Sequence, residues 1–161
     1  MIISFLHNGK EVTINTEPER RSLDLLRDEF GLLAAKGRCY KGICGKCTIL
    51  LNGETALSCL LPAFALKGNT VTTLEGITKT REYADIIRSF EETGYRPCHA
   101  CESGKIITIY SLLEQKPAPT KEEIVEALKG IPCTCGDYKT LIEGITLAAG
   151  YIRRRKRARK R

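Results

Sequence analysis

Cys39, Cys44 and Cys47 place three thiols within nine residues, in the stretch K-G-R-C-Y-K-G-I-C-G-K-C that starts at Lys36. Their C-x4-C-x2-C spacing is that of plant-type [2Fe-2S] sites, with Cys59 available as a distant fourth thiolate. Thiolates at this spacing bind metal, and the chemistry expected of them is one-electron transfer. Gly37, Gly42 and Gly45 fit, because a chain wrapping a cluster must turn its amide N–H groups toward sulfur, which residues without a Cβ do readily.

Four further cysteines form two pairs, Cys98-x2-Cys101 and Cys133-x-Cys135. Together with the first four they use all eight cysteines as two complete four-thiolate sets. Structural zinc also takes four cysteines. The first loop crowds its thiolates among glycines, which suits a cluster needing N–H donors better than a compact tetrahedral ion. The second set is less decisive, and zinc stays open there. A Rieske centre requires two histidines; His7 falls in a strand turn and His99 between two cysteines, which excludes it and leaves His99 as a surface or supporting residue. Lys36, Arg38, Lys41 and Lys46 surround the first loop, either as solvated charges or as cations that raise the potential of an anionic cluster and guide an acidic partner. Catalytic residues are absent: there is no Ser-His-Asp set, no G-x-G-x-x-G after a strand and no Walker loop. Substrate chemistry is expected on another polypeptide.

The elements that must position these thiols are legible from periodicity. Ile3 and Phe5, then Val12 and Ile14, alternate with polar neighbours around Asn8-Gly9, which predicts a hairpin. Leu23, Leu26 and Phe30 recur at helical spacing, ended by Gly31. Thr48 to Leu51 and Thr55 to Ser58 flank Asn52-Gly53 as a second hairpin that returns Cys59 toward Cys47, and Val71 to Leu74 reads as a further strand. Residues 1–75 therefore predict a small mixed sheet with one helix. Beyond Gly76 the spacing turns helical. Tyr83, Ile86, Ile87 and Phe90 mark one helix. Ile106 to Leu113 mark a second, apolar nearly all round and so expected inside. Thr120 to Glu123 form a capping box for a third, and Asp137 caps a fourth carrying Leu141, Ile145 and Ala148. Residues 76–152 thus predict a four-helix domain with its cysteine pairs at helix junctions.

The chain has 161 residues, 42% of them apolar, enough for one domain or two small ones with a modest core. Met1 to Leu6 lack the basic start and long apolar stretch of a signal peptide, and no apolar run approaches a membrane span. A reducing, cytoplasmic setting that leaves thiolates free for metal is the expectation. The net charge of +7 is concentrated at the C-terminus: residues 153–161 hold eight of the 26 basic residues, and the remaining 18 face 19 acidic ones. Such a run repels itself, so a disordered, solvated tail is expected, favoured over specific nucleic-acid binding although that stays open.

Taken together, C-Y-K-G-I-C-G-K-C, L-S-C-L-L-P-A at Leu57 to Ala63, T-T-L-E-G-I at Thr72 to Ile77 and the C-x2-C and C-x-C pairs resemble the small iron–sulfur subunit of the molybdenum hydroxylases. That family includes xanthine dehydrogenase, aldehyde oxidoreductase and carbon monoxide dehydrogenase. The resemblance covers residues 1–152 and implies an α+β chain: a β-grasp, plant-type ferredoxin domain followed by a helical domain, each with one [2Fe-2S] cluster. It implies Cys39, Cys44, Cys47 and Cys59 as ligands of the outlet cluster, and Cys98, Cys101, Cys133 and Cys135 as ligands of the cluster beside the pterin. It further implies a large subunit carrying molybdopterin, and commonly a flavin (FAD) subunit. The chain departs from the family at the second set. The usual Q-C-G-x-C-T-P-G is here Pro97-Cys98-His99-Ala100-Cys101-Glu102-Ser103-Gly104, without the glutamine that touches the pterin, and the usual C-R-C-T-G-Y is Cys133-Thr134-Cys135-Gly136-Asp137-Tyr138. These changes motivate an alternative, a ferredoxin-like carrier serving another oxidoreductase without a molybdopterin partner.

Overall fold

A computed structural model describes residues 1–133 and 136–159 of the chain. Strands β1 (Ile2–His7) and β2 (Lys10–Asn15) pair antiparallel across the Asn8-Gly9 turn, where both residues adopt positive φ. Strands β3 (Thr48–Leu51) and β4 (Glu54–Leu57) form the second hairpin, and β5 (Thr70–Thr72) lies parallel to β1 and antiparallel to β3. The result is a five-stranded mixed sheet of order β2-β1-β5-β3-β4. Helix α1 (Ser22–Phe30) covers one face. Leu23, Leu25 and Leu26 are fully buried there with Ile3, Ile49, Leu66 and Val71. At about 1.5–3 kcal/mol for each fully buried side chain, this cluster anchors the N-terminal half.

A one-turn helix α2 (Leu74–Ile77) follows β5 and straddles the boundary expected after residue 75. It belongs to the joint between the halves, because Ile77 packs with Leu50 of β3 and Ile107. The four longer helices are α3 (Arg81–Thr93), α4 (Glu102–Gln115), α5 (Lys121–Leu128) and α6 (Tyr138–Ala158). Their caps agree with the sequence: the Thr120 side chain accepts from the Glu123 amide in a complete capping box, and Asp137 accepts from the Thr140 amide. Helix α4 is buried around nearly its whole circumference, from Ser103 to Ile109 without interruption. It packs on β3 and β4 on one side and on α3 and α5 on the other. Ser111 Oγ donates to Gly53 O (3.1 Å) and Gln115 to Glu54 (3.1 Å), so α4 is tied to the tip of the β3–β4 hairpin.

The described part of the basic run expected as a disordered tail is structured. Residues 153–158 complete α6 as helix. Like-charge repulsion is offset because the charges have partners on the neighbouring helices. Arg155 donates to both Glu82 (2.7 Å) and Asp85 (2.9 Å) of α3, with all three side chains under one fifth exposed. Lys156 pairs with Glu114 of α4 (2.8 Å), and Arg153 donates to Pro117 O (2.9 Å). Hydrophobic contacts of Ile145, Ala148 and Ile152 with Ile86 and Phe90 hold the same helices together from inside.

Candidate metal centres

The first set is built by a loop and a hairpin. Cys47 directly precedes β3 and Cys59 follows β4, so the antiparallel register returns the second thiol to the first. Ser58 fixes that return: its amide (3.3 Å) and hydroxyl (2.7 Å) both donate to Cys47 O, and its own carbonyl accepts from Leu23 N at the start of α1. Cys47 and Cys59 are buried, whereas Cys39 and Cys44 sit at the rim. Between them the chain curls through positive φ at Tyr40, Gly42 and Gly45. Cys39 has the Cys44 thiol as a neighbour, and Cys47 has both the Cys59 and the Cys44 thiols. Four thiols spread over a loop and a hairpin would hold a two-iron cluster more readily than one compact tetrahedral ion.

The electrostatics of the two pairs differ. The Lys41 amide points at Cys39 Sγ (3.4 Å) and, helped by the Cys44 thiol, lowers the Cys39 pKa to about 6. Burial raises that of Cys47 to about 11. Metal binding requires the thiolate, so the rim sulfur is ready near neutral pH while the buried one gives up its proton only to a metal.

The second set gathers at helix starts. Cys98 and Cys101 share a turn closed by Cys101 N to Cys98 O (3.1 Å), and Cys101 is the N-cap of α4. Cys133 approaches from the segment after α5. Its Sγ lies 3.0 Å from that of Cys101, which lies 2.9 Å from that of Cys98. Among the described residues this is the one group of three or more potential ligands whose donor atoms all lie within 4.8 Å of one another. Cys135, the expected fourth member, lies outside the described residues. The positive end of α4 favours thiolate at Cys101.

Sequence reasoning missed the residues beneath this set. Lys105, one helical turn after Cys101, is only 4% exposed, and its Nζ donates to the hydroxyl of buried Tyr95 (2.7 Å). A lysine opening the apolar run Ile106-Ile107 was the available signal. It also missed how closely the two sets are joined. A Cβ on Gly104 would lie 2.2 Å from the carbonyl oxygen of Gly45, so α4 meets the first loop backbone to backbone, between Cys44 and Cys47. Lys36, placed by the sequence beside the first loop, reaches across to the second set, where its Nζ contacts His99 Nδ1 (2.7 Å) and the His99 carbonyl. Arg38 and Lys41 are exposed.

Two sequence families match the chain: a 2Fe-2S iron-sulfur cluster binding domain over residues 9–93 and a [2Fe-2S] binding domain over residues 73–146. The small FeS subunit of nicotinate dehydrogenase from Eubacterium barkeri is 40% identical over 131 residues, covering 81% of this chain and 83% of that protein. The nicotine 6-hydroxylase small subunit of Paenarthrobacter nicotinovorans is 34% identical over 145 residues, covering 90% and 87%. Among solved structures, quinoline 2-oxidoreductase from Pseudomonas putida 86 superposes with a TM-score of 0.86 at 35% identity, over 96% of both chains. The aldehyde oxidoreductase of Desulfovibrio desulfuricans gives 0.86 at 27% identity, over 94% of this chain and 17% of that one.

Proposed function

The chain belongs to the iron–sulfur subunits of the molybdenum hydroxylase family, and we propose that it carries electrons from a molybdopterin-bearing large subunit to a flavin subunit or another acceptor. When bound, two [2Fe-2S] clusters supply one-electron storage and transfer. We assign Cys39, Cys44, Cys47 and Cys59 to the outlet cluster, and Cys98, Cys101, Cys133 and Cys135 to the cluster that faces the pterin. The observation that carries the relay is the contact of Gly45 with Gly104, which brings the two cysteine sets together through packed backbone with no side chain between those two residues. Lys36 and His99 brace the same joint.

The surroundings favour an assembly. Ile43, Leu60 and Tyr40 stand exposed beside the first set, Ile43 at 66%, an apolar rim suited to a protein partner rather than to water. The chain's own residues hold the thiols, donate N–H groups to sulfur and keep water from Cys47 and Cys59; substrate is bound and transformed elsewhere. Among the described residues no helix is long and apolar enough to cross a membrane, and a cytoplasmic location follows from eight thiols reserved for metal.

Purification of the native complex tests the reading. Iron and acid-labile sulfide should each be about four per chain, with two distinct EPR signals in the reduced state. A chain carrying molybdopterin should co-purify. Zinc in place of iron at both sets overturns the reading, and a different redox partner with no molybdopterin chain replaces it with the ferredoxin-like carrier.

A further inference from the structure

A charge buried in protein acts on its neighbours through a low dielectric, whereas one in water is weakened by the high dielectric and screened by salt over about 10 Å. Two of the four cations expected to tune the first centre, Arg38 and Lys41, are of the second kind, being exposed. Lys105 is of the first kind. It sits at 4% exposure one turn into α4, on the helix face of Cys101, and its electrostatic partners include Cys101 and Cys133 as well as Tyr95. Burial alone would drive such a lysine toward its neutral form, but the hydrogen bond to the Tyr95 hydroxyl and attraction to these groups outweigh it and hold the ammonium charged.

Tyr95 is built to keep the ammonium there. Its ring is 3% exposed and packs edge-on against Phe90 (centroids 4.9 Å apart), and its hydroxyl accepts from Lys105 Nζ at 2.7 Å. A Cβ on Gly136 would come within 2.9 Å of that ring, so the Gly136 backbone packs against it. A buried ammonium is costly without a compensating anion. A four-thiolate [2Fe-2S] unit supplies one: its charge of about −2 becomes about −3 on taking up one electron, with no bond made and no proton moved.

We propose that Lys105, held by Tyr95, is the built-in countercharge of the Cys98–Cys101–Cys133 centre, and that it raises the reduction potential of that centre so that it accepts electrons from the molybdenum site more readily. This rests on the second set holding a [2Fe-2S] cluster. Lys105 is a positioning charge and not a ligand.

EPR-monitored redox titration of the purified holoprotein tests it, with Lys105→Met as the main variant because the thioether chain fills the same apolar space without charge. The reduced-to-oxidised ratio of the second signal at a fixed potential should fall at least tenfold, about 59 mV for a one-electron couple. The shift should persist at high salt, and the first signal should keep its potential. Tyr95→Phe, which removes the acceptor but keeps the ring, should shift the second signal the same way by less. Lys105→Arg, which keeps the charge, should stay closer to the wild type than Lys105→Met does.

If Lys105→Met retains both signals and the second potential does not move, the proposal is wrong. If Lys105→Met fails to assemble the second cluster, Lys105→Arg decides. Assembly near the wild-type potential supports the countercharge, whereas a tenfold shift there too overturns it. A wild-type protein with only one cluster would instead refute the two-cluster reading, a result separable by its iron content from a failure of this proposal.

Discussion

The two cysteine sets solve one problem by different means. The first is local: a glycine-bearing loop feeds a four-residue strand, and the hairpin register brings Cys59 back to Cys47. The second is assembled from a distance. Cys98 and Cys101 open α4 and Cys133 arrives after α5, so their approach depends on how the helices pack. The first set has the exposed cations Arg38 and Lys41 in its loop, whereas the second has the buried Lys105 beneath it. Local construction tolerates a distant change, whereas assembled construction inherits every defect of its helical frame. The cost of the second arrangement is sensitivity; its return is a site resting on the helical core, where the one buried charge of Lys105 has a large effect.

Cys47→Ser should give the largest effect and the cleanest separation. It should remove one EPR signal and about half the iron while the second signal and reduction of the molybdenum site by substrate persist, and it should block turnover with the external acceptor. Undiminished steady-state turnover would sink the assigned outlet. Gly104→Ala should break the comparison itself, because it strikes both sets at once. A helix interior ordinarily favours alanine over glycine by about 1 kcal/mol, but here the new methyl meets the Gly45 carbonyl oxygen. Overpacking of this kind costs about 1–3 kcal/mol or more. Thermal unfolding should shift downward and both EPR line shapes should change; an unaltered melting curve would show that the joint is loose.

Two smaller effects confine themselves to one half each. Arg155→Ala leaves Glu82 and Asp85 without their cation and should destabilise the helical half by about 1–2 kcal/mol, less than a fully buried pair because the three side chains keep some solvent. The Glu82 carboxyl is pushed up by burial, but its hydrogen bond to Arg155 prevails and leaves its pKa below the ordinary 4.5. Its contribution is therefore complete above that value and lost as pH falls through the folded pKa. Denaturant melts of wild type and Arg155→Ala should converge at low pH; a constant gap would argue for packing alone. In the other half, burial lowers the pKa of His7 below 6.5 against a smaller opposing effect of Glu75. The unfolded chain then binds the proton first, so stability should decline modestly as pH drops below 6.5. A His7→Gln variant should lose that slope, and a persisting slope would assign it to other groups.

Much of the first half was legible because its signals are short-range. Asn-Gly turns, alternation in the strands and C-x4-C-x2-C act within a few residues, and Thr120, Asp137 and Gly31 terminate helices by local hydrogen bonding. The tail shows where such reading stops. Eight basic residues in a row of nine look self-repelling, and what the sequence does not display is that Glu82, Asp85 and Glu114 lie alongside them once α3 and α4 pack on α6.

By itself the sequence determined the inventory and spacing of the thiols and the order of the strands and longer helices, because each of these depends on residue type and near-neighbour spacing. Tertiary structure alone decided that the two sets touch through Gly45 and Gly104, that residues 153–158 continue α6 with partners on neighbouring helices, and that Lys105 is buried beneath Cys101 against Tyr95. The physical reason is range. Hydrogen bonds within turns and caps are written in adjacent residues, but burial and the strength of a charge are properties of everything packed around an atom, and that packing unites residues far apart along the chain.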